Sequence, residues 1–204
     1  MKQELYMKDC IQDLQHIPLV DYTITDPPYP NGRDLFVDDY FDAYVMLYYA
    51  CKITKEKVIF FWSNIGIPQP PIGWYEIARH IWHKPNGQSA TYYENVIVWG
   101  KINQQSTSKV WRIPIINYET LPEYENHPTQ KPIRLMRAIV SCMTKENDLI
   151  LDPFAGTGTT LLACKQLHRR GVGYEKNPDY YTIADKRLKQ TTVKGFFETL
   201  TPSN

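Results

Sequence analysis

Two stretches of this chain combine residue types that can do chemistry. The first is Asp26-Pro27-Pro28-Tyr29, which follows a run rich in β-formers, Asp21-Tyr22-Thr23-Ile24-Thr25. Prolines at 27, 28 and 30 stop any helix and remove backbone donors. The loop is therefore stiff and presents one carboxylate, free carbonyls and one aromatic ring. An exocyclic amino group on a nucleobase is a poor nucleophile, because its lone pair is delocalised into the ring. A carboxylate and a carbonyl that each accept one of its N–H hydrogen bonds steer the nitrogen toward a tetrahedral shape and free that pair. An aromatic ring alongside can stack on the base. Asp26, Pro27, Pro28 and Tyr29 supply this set at fixed spacing, although an isolated Pro-Pro turn can also be purely structural.

The second stretch is Leu149-Ile150-Leu151-Asp152-Pro153-Phe154-Ala155-Gly156-Thr157-Gly158-Thr159-Thr160. An apolar run ends at an aspartate, two glycines follow one residue apart, and a helix-like segment begins. Glycines there let backbone approach a ligand closely, and free amides at a helix start attract electron-rich groups. The turn lacks the third glycine of a dinucleotide fingerprint and the lysine of a phosphate-binding loop. Glu175 closes the next strand about 20 residues on, where an acid can accept hydrogen bonds from ribose hydroxyls. The ligand expected is a nucleoside compound with a ribose. NAD, FAD and S-adenosylmethionine all remain open on these residues alone.

The elements that must position these stretches alternate. Ile11, Leu14 and Ile17 have near-helical spacing before Pro18. A strand over 21–25 leads into the proline loop, and residues 31–39 continue as a polar surface loop. A helix is expected over Tyr40–Thr54 and a strand over Lys57–Trp62, apolar throughout and so buried on both faces. A short helix is expected over Trp74–His80, a short strand over Ile81–Pro85, and a clear strand over Glu94–Gly100. Residues 101–126 are polar and aperiodic, an inserted excursion carrying the aromatic-basic cluster Val110-Trp111-Arg112. A helix follows Pro132, then the glycine turn, a helix from Thr157 to His168, a strand Gly171–Glu175 and a last helix from Asn177-Pro178 to Lys189, with a loose tail from Gly195. This alternation predicts one α/β domain over 1–204, doubly wound around a mostly parallel, Rossmann-like sheet.

With 204 residues the chain is long enough for one continuous core. No apolar run reaches the roughly 20 residues needed to cross a bilayer, and the N-terminus has no signal-like stretch, so no membrane association is expected. The four cysteines, at 10, 51, 142 and 164, are scattered without metal-ligand spacing, consistent with a reducing cytoplasm and no metal site. Net charge is +1, which argues against a large non-specific phosphate grip but not against a local basic face. Candidates for that face are Arg33, Lys84, Lys101, Lys109, Arg112 and Lys131.

In chain order, Asp26-Pro27-Pro28-Tyr29, His127-Pro128-Thr129-Gln130-Lys131-Pro132 and Asp152-Pro153-Phe154-Ala155-Gly156-Thr157-Gly158-Thr159-Thr160 resemble the amino-group DNA methyltransferases, N6-adenine or N4-cytosine, of the permuted β class. In that family the catalytic segment precedes the cofactor segment, as here. The resemblance runs from Asp9 to about Arg187. It implies S-adenosylmethionine as cofactor, double-stranded DNA as partner, and a monomer or homodimer, with restriction-modification one setting for such an enzyme. Asp26, Pro27 and Tyr29 would hold a flipped base. Asp152, Pro153, Phe154, Gly156 and Gly158 would shape the cofactor pocket, Thr159, Thr160 and Lys131 would contact the methionine carboxylate, and Glu175 would take the ribose hydroxyls. Asp9 and Cys10 would meet the adenine ring, although Met7-Lys8 stands where the family carries a glycine.

The resemblance further implies in-line methyl transfer after base flipping, with no covalent enzyme intermediate. An aspartate at the first motif position goes mainly with adenine N6, so N6 is favoured over cytosine N4 or an RNA acceptor. Residues 101–126 would be a small target-recognition insert, with Arg33, Lys109, Trp111 and Arg112 as DNA contacts. A nucleotide-binding regulator or NAD enzyme of similar fold would give the proline loop and the 127–132 segment no role.

Overall fold

The computed structural model describes residues 2–29, 37–86, 92–114 and 130–190. Arg33, the 127–129 part of the His-Pro-Thr-Gln-Lys-Pro segment, residues 115–126 of the insert and the tail lie outside these residues. The elements are β1 (Gln3–Tyr6), β2 (Val20–Thr25), α1 (Val37–Ile53), β3 (Thr54–Trp62), β4 (Tyr75–His83), β5 (Tyr93–Gly100), β6 (Val110–Arg112), α2 (Ile133–Met143), β7 (Leu149–Asp152), α3 (Thr159–Gln166), β8 (Arg170–Tyr174) and α4 (Pro178–Lys189). The strands form one sheet in the order β1-β8-β7-β2-β3-β5-β4-β6. Neighbours are parallel except at β5, which runs antiparallel to both β3 and β4. No described helix is long and apolar enough to cross a membrane.

Side chains of a strand alternate between faces, and the core divides accordingly. Val58, Phe60 and Trp62 of β3 join Ile97, Trp99 and the α1 residues Ala43, Met46, Leu47 and Ala50 on one face. Ile59 and Phe61 join Val96, Val98, Leu135, Met136, Ile139 and Val140 on the other, with Ala163 and Cys164 of α3. Both faces of β3 are covered, as its unbroken apolar run predicts. Full burial of each of these large side chains contributes about 1.5–3 kcal/mol, so the centre of the sheet is the rigid part of the molecule.

The topology then dictates where a ligand goes. From β2 the chain winds through α1 to β3 on one side, whereas β7 pairs with β2 on its other side and winds through α3 to β8. Strand order reverses between β2 and β7. In open α/β sheets, ligands bind in the crevice that such a reversal leaves beyond the carboxyl ends of the strands. The proline loop leaves the end of β2, and the glycine turn leaves the end of β7.

Two local expectations are corrected. Residues 74–80 are not a helix: Trp74 precedes a nine-residue strand, β4. The segment Glu76-Ile77-Ala78-Arg79 is rich in helix formers, but pairing with β5 overrides that weak preference. A bulge between Glu76 and Ala78 buries both Ile77 and Ala78 and so breaks the alternation that marks a strand. Residues 11–17 form only a single 3-10 turn, Leu14–His16, yet Ile17 is buried and Leu14 packs on the core. The polar N-terminal segment is itself a strand, β1, formed by pairing with β8. The described part of the 101–126 stretch runs along the outer edge of β4. Ser106 donates its amide to Ile77, and β6 pairs in parallel with β4.

Candidate active site

At the β2/β7 reversal lies a cleft of about 770 Å³. Asp26, Pro27, Pro28 and Tyr29 line it, together with Asp9, Cys10, Lys131, Asp152, Pro153, Phe154, Gly156, Thr159, Thr160 and Glu175. Residues read separately from opposite ends of the chain thus share one cavity.

The glycine turn is braced from four directions. Asp152 is buried, and its Oδ1 accepts from the Thr25 hydroxyl at 2.7 Å and from the Phe154 amide at 3.2 Å. This ties the end of β7 to the last residue before the proline loop. Glu175 accepts the Gly156 amide at 2.7 Å and the Asn177 amide at 2.8 Å, one on each carboxylate oxygen. Gln130 accepts from the Thr157 hydroxyl at 2.6 Å. Arg187 donates to the Thr157 carbonyl at 2.6 Å and to the Thr159 hydroxyl at 3.2 Å.

Gly158 does not line the cleft; it turns the chain into α3. Its φ is 78°, a left-handed conformation, and a Cβ there would stand 2.9 Å from the Ala184 Cβ. Gly158→Ala is expected to lower stability by about 2–4 kcal/mol, from left-handed strain and overpacking together. A thermal melt should show the midpoint falling by roughly 5–15 °C. An unchanged midpoint would mean the turn relaxes freely.

Burial pushes the Asp152 carboxyl up from 3.8 to about 6, against the hydrogen bonds of Thr160, Thr25 and Phe154 that lower it. A raised carboxyl binds its proton more tightly in the folded state than in the unfolded one. Its contribution is therefore favourable at and below the unfolded value and is lost as pH rises from about 4 to about 6, by roughly 3 kcal/mol. Denaturant titrations of wild type and Asp152→Asn across this window should converge at low pH. At pH 7 the wild type should have lost the stability that the variant has not.

Around Asp26 the site is a charge cluster. Lys131 stands just before α2, 7% exposed, with Nζ 2.5 Å from Asp26 Oδ2 and 3.3 Å from Glu94 Oε2. Its ammonium also lies 4.8 Å from the Phe61 ring centroid and 5.8 Å from that of Trp82. Lys84 pairs with the other oxygen of Glu94. Burial draws the Lys131 pKa down, but Asp26 and Glu94 outweigh it and hold the ammonium above its ordinary value. Burial raises the Asp26 carboxyl, and Glu94 adds to this while Lys131 and Lys84 oppose it. Among the described residues, Asp26 Oδ1 is buried and has no hydrogen-bond partner. The Tyr29 ring packs on Trp62 with centroids 5.7 Å apart.

The other sequence candidates fall as follows. Asp9 Oδ1 accepts the Ile11 amide at 2.9 Å. Cys10 is buried and its thiol is pushed up to about 12, so it is no nucleophile. Lys109, Trp111 and Arg112 lie on the β6 edge, outside the cleft lining, with the Trp111 ring 5.3 Å from that of His80. The register sets Arg112 against His83, beside cleft-lining Lys84. Three cations expected on a basic face are engaged by the protein itself: Lys84 and Lys131 by carboxylates in the cleft, and the exposed Lys101 by the Thr54 carbonyl at 3.0 Å and the Trp74 ring. Cleft residues absent from the sequence candidates include Glu94, its neighbour Tyr93, Asp42 and Tyr180. Glu94 is the second residue of β5, and an acid near a strand start gives no signal by itself.

The sheet, with a glycine turn and a carboxylate-bearing proline loop on either side of its reversal, defines a doubly wound α/β protein with one cleft shared by the two loops. The chain belongs to the N6/N4 DNA methylase family, whose model matches residues 44–186. Over 103 residues it is 44% identical to the type II methyltransferase M.HindIII of Haemophilus influenzae, covering 50% of this chain and 30% of that protein. Over 86 residues it is 38% identical to the DNA adenine methyltransferase YhdJ of Escherichia coli K12, covering 42% of this chain and 29% of that one. The chain therefore matches less than a third of the length of either curated relative. The solved M1.HpyAVI–SAM complex superposes with a TM-score of 0.72 at 26% identity, over 92% of this chain and 100% of that one.

Proposed function

We propose that this chain transfers a methyl group from S-adenosylmethionine to an exocyclic amino group in DNA, with adenine N6 as the acceptor. The observation that carries this reading is the unpartnered, buried Oδ1 of Asp26 in the same cavity as the glycine turn and Glu175. The donor set suits the cofactor. Carboxylates at Glu175 and Asp9 match hydroxyl and amino donors, the Phe154 ring and the buried Cys10 offer apolar contact, and Lys131, Thr159 and Thr160 are cleft groups suited to a carboxylate. When bound, S-adenosylmethionine supplies an electrophilic methyl on a sulfonium.

The chain's own residues do the rest. Asp26 accepts one amino N–H and a proline-loop carbonyl accepts the other, which localises the nitrogen lone pair. Tyr29, backed by Trp62, stacks on the flipped base. A carboxylate whose pKa burial has raised is suited to take the proton that leaves after transfer. Arg112, Trp111 and Lys109 on the edge strand beside the cleft are suited to contact the duplex, and residues 101–126 to read its sequence. The aspartate at position 26 and the adenine-specific relative favour N6 over cytosine N4.

The test is incubation with methyl-labelled S-adenosylmethionine and mixed-sequence duplex DNA. Label recovered as N6-methyladenine is the expected result. Label as N4-methylcytosine would move the acceptor, and label only in RNA, or none, would sink the reading.

A further inference from the structure

The catalytic loop does not hold itself. Tyr29 and Asp26 both depend on partners outside the loop, and those partners converge on one side chain. Glu94 enters the cleft from β5, in register opposite Trp82 of β4. The ladder continues past β4, because Lys84 donates its amide to the Tyr92 carbonyl at 2.7 Å. That brings the Lys84 ammonium onto Glu94 Oε1. The opposite oxygen faces Lys131, which in turn holds Asp26. Burial and the nearby Glu94 carboxylate raise the pKa of the Tyr29 hydroxyl, which faces that carboxylate across the cleft. Trp82 floors the cluster, with its ring 4.7 Å from the Lys84 ammonium and 5.8 Å from that of Lys131.

Four charged groups, two of each sign, are thus gathered where the sheet could carry apolar side chains. Such clusters are a poor source of stability, since well-packed apolar residues of similar volume do as well or better. Their value lies in orientation. We propose that Glu94 is the positioning residue of the catalytic loop: its carboxylate, anchored by Lys84, faces the Tyr29 hydroxyl and holds the Lys131 ammonium against Asp26. The stacking ring and the counter-ion of Asp26 are then set by one side chain of the rigid sheet. This assignment rests on the methyltransferase reading of the site.

The charged and titratable groups that face Asp26 among the described residues are Lys131, Glu94 and Lys84, with Tyr29 in its own loop and Asp152 across the turn. Glu94 raises the Asp26 carboxyl and Lys84 lowers it. Removing each should therefore move the acid limb of the pH–rate profile in opposite directions.

Glu94→Gln is expected to lower kcat by about 10- to 100-fold through misplacement of the ring and the carboxylate. KM for S-adenosylmethionine should stay near the wild-type value. The acid limb should move down by roughly half to one pH unit. Lys84→Met should move it up, and Glu94→Asp, which keeps the charge, should leave it in place. A merely structural Glu94 would lower kcat and the melting midpoint without moving the limb, and that result overturns the proposal, as does a kcat near wild type. If Glu94→Gln does not fold, the Lys84→Met and Glu94→Asp limbs decide the matter. The same shifts can be read without turnover from the Asp26 carboxyl carbon by NMR. A wild type that transfers no label would thus overturn the proposed function, while the titration still decides the role of Glu94.

Discussion

Asp26→Asn is expected to lower methyl transfer by about 100-fold or more while S-adenosylmethionine still binds. The side chain keeps its size, so the loop between Thr25 and Tyr29 has no steric reason to move. What is lost is charge. A hydrogen bond to a charged acceptor is worth about 1.5–3 kcal/mol, against about 1 for a neutral one. The carboxylate also takes the proton that the alkylated amino group must shed, which an amide cannot do. The two losses together reach the 2.7 kcal/mol or so that a 100-fold rate change represents. In the proposed reading most of the cofactor is held by the braced glycine turn, Glu175 and the Asp9 segment, none of which hydrogen-bonds to Asp26; only Lys131 touches both, and its charge is kept. Equilibrium binding of S-adenosylmethionine by calorimetry and single-turnover transfer on saturating duplex separate the two effects. If the variant loses cofactor affinity in step with transfer, the division between a base-holding loop and a cofactor-holding turn is wrong.

The two loops that line the cleft were legible in the sequence because each is encoded locally. A strand running into Pro-rich chain, and a strand running into Gly-x-Gly, are short-range signals that survive without tertiary information. Glu175 was legible for the same reason, since it ends a strand at the expected distance from the turn. The rest depends on contacts between distant segments. β4 carries helix formers and a bulge, so its strand identity comes from β5 alone. β1 is four residues long and polar, and only β8 makes it a strand. Gly158 is recognisable as a turn residue, but the reason no side chain fits there is Ala184, on another helix. Lys131 belongs to a recognisable segment, yet its partners Asp26 and Glu94 come from two different strands' ends. Glu94 and Lys84 could not be paired without the antiparallel register of β4 and β5. Asp26, Lys131, Asp152 and Glu175 were visible one by one, whereas Glu94 and the electrostatic coupling among them were not.

That coupling makes Lys131→Met the variant with the largest expected effect on stability. The methionine fills similar volume against Phe61 and Trp82, so little packing is lost. The ammonium is lost, and Asp26 and Glu94 then face each other in a nearly buried site where, among the described residues, Lys84 is the cation left to balance them. Breaking a buried ion pair by removing one partner costs about 3–5 kcal/mol, because an uncompensated charge stays behind. At pH 8 the melting midpoint should fall by roughly 10–15 °C. In the wild type, burial raises the Glu94 carboxyl but Lys131 and Lys84 outweigh it and hold it below its ordinary 4.5. Its contribution is therefore present above the unfolded value and lost as pH falls through the lower folded one. In the variant the two carboxylates resist ionisation, and protonation relieves them. The gap between wild type and variant should be widest at neutral and alkaline pH and should close as pH drops below about 4.5. Melting curves of both proteins from pH 4 to 9 check this directly. A gap that is small at pH 8, or that does not close in acid, would mean that Lys131 packs in the cleft without balancing its carboxylates. Lys131→Arg sharpens the comparison: it restores the charge but brings a planar fork where a compact ammonium sits between two acids and three rings, so it should recover part of the stability and little of the transfer.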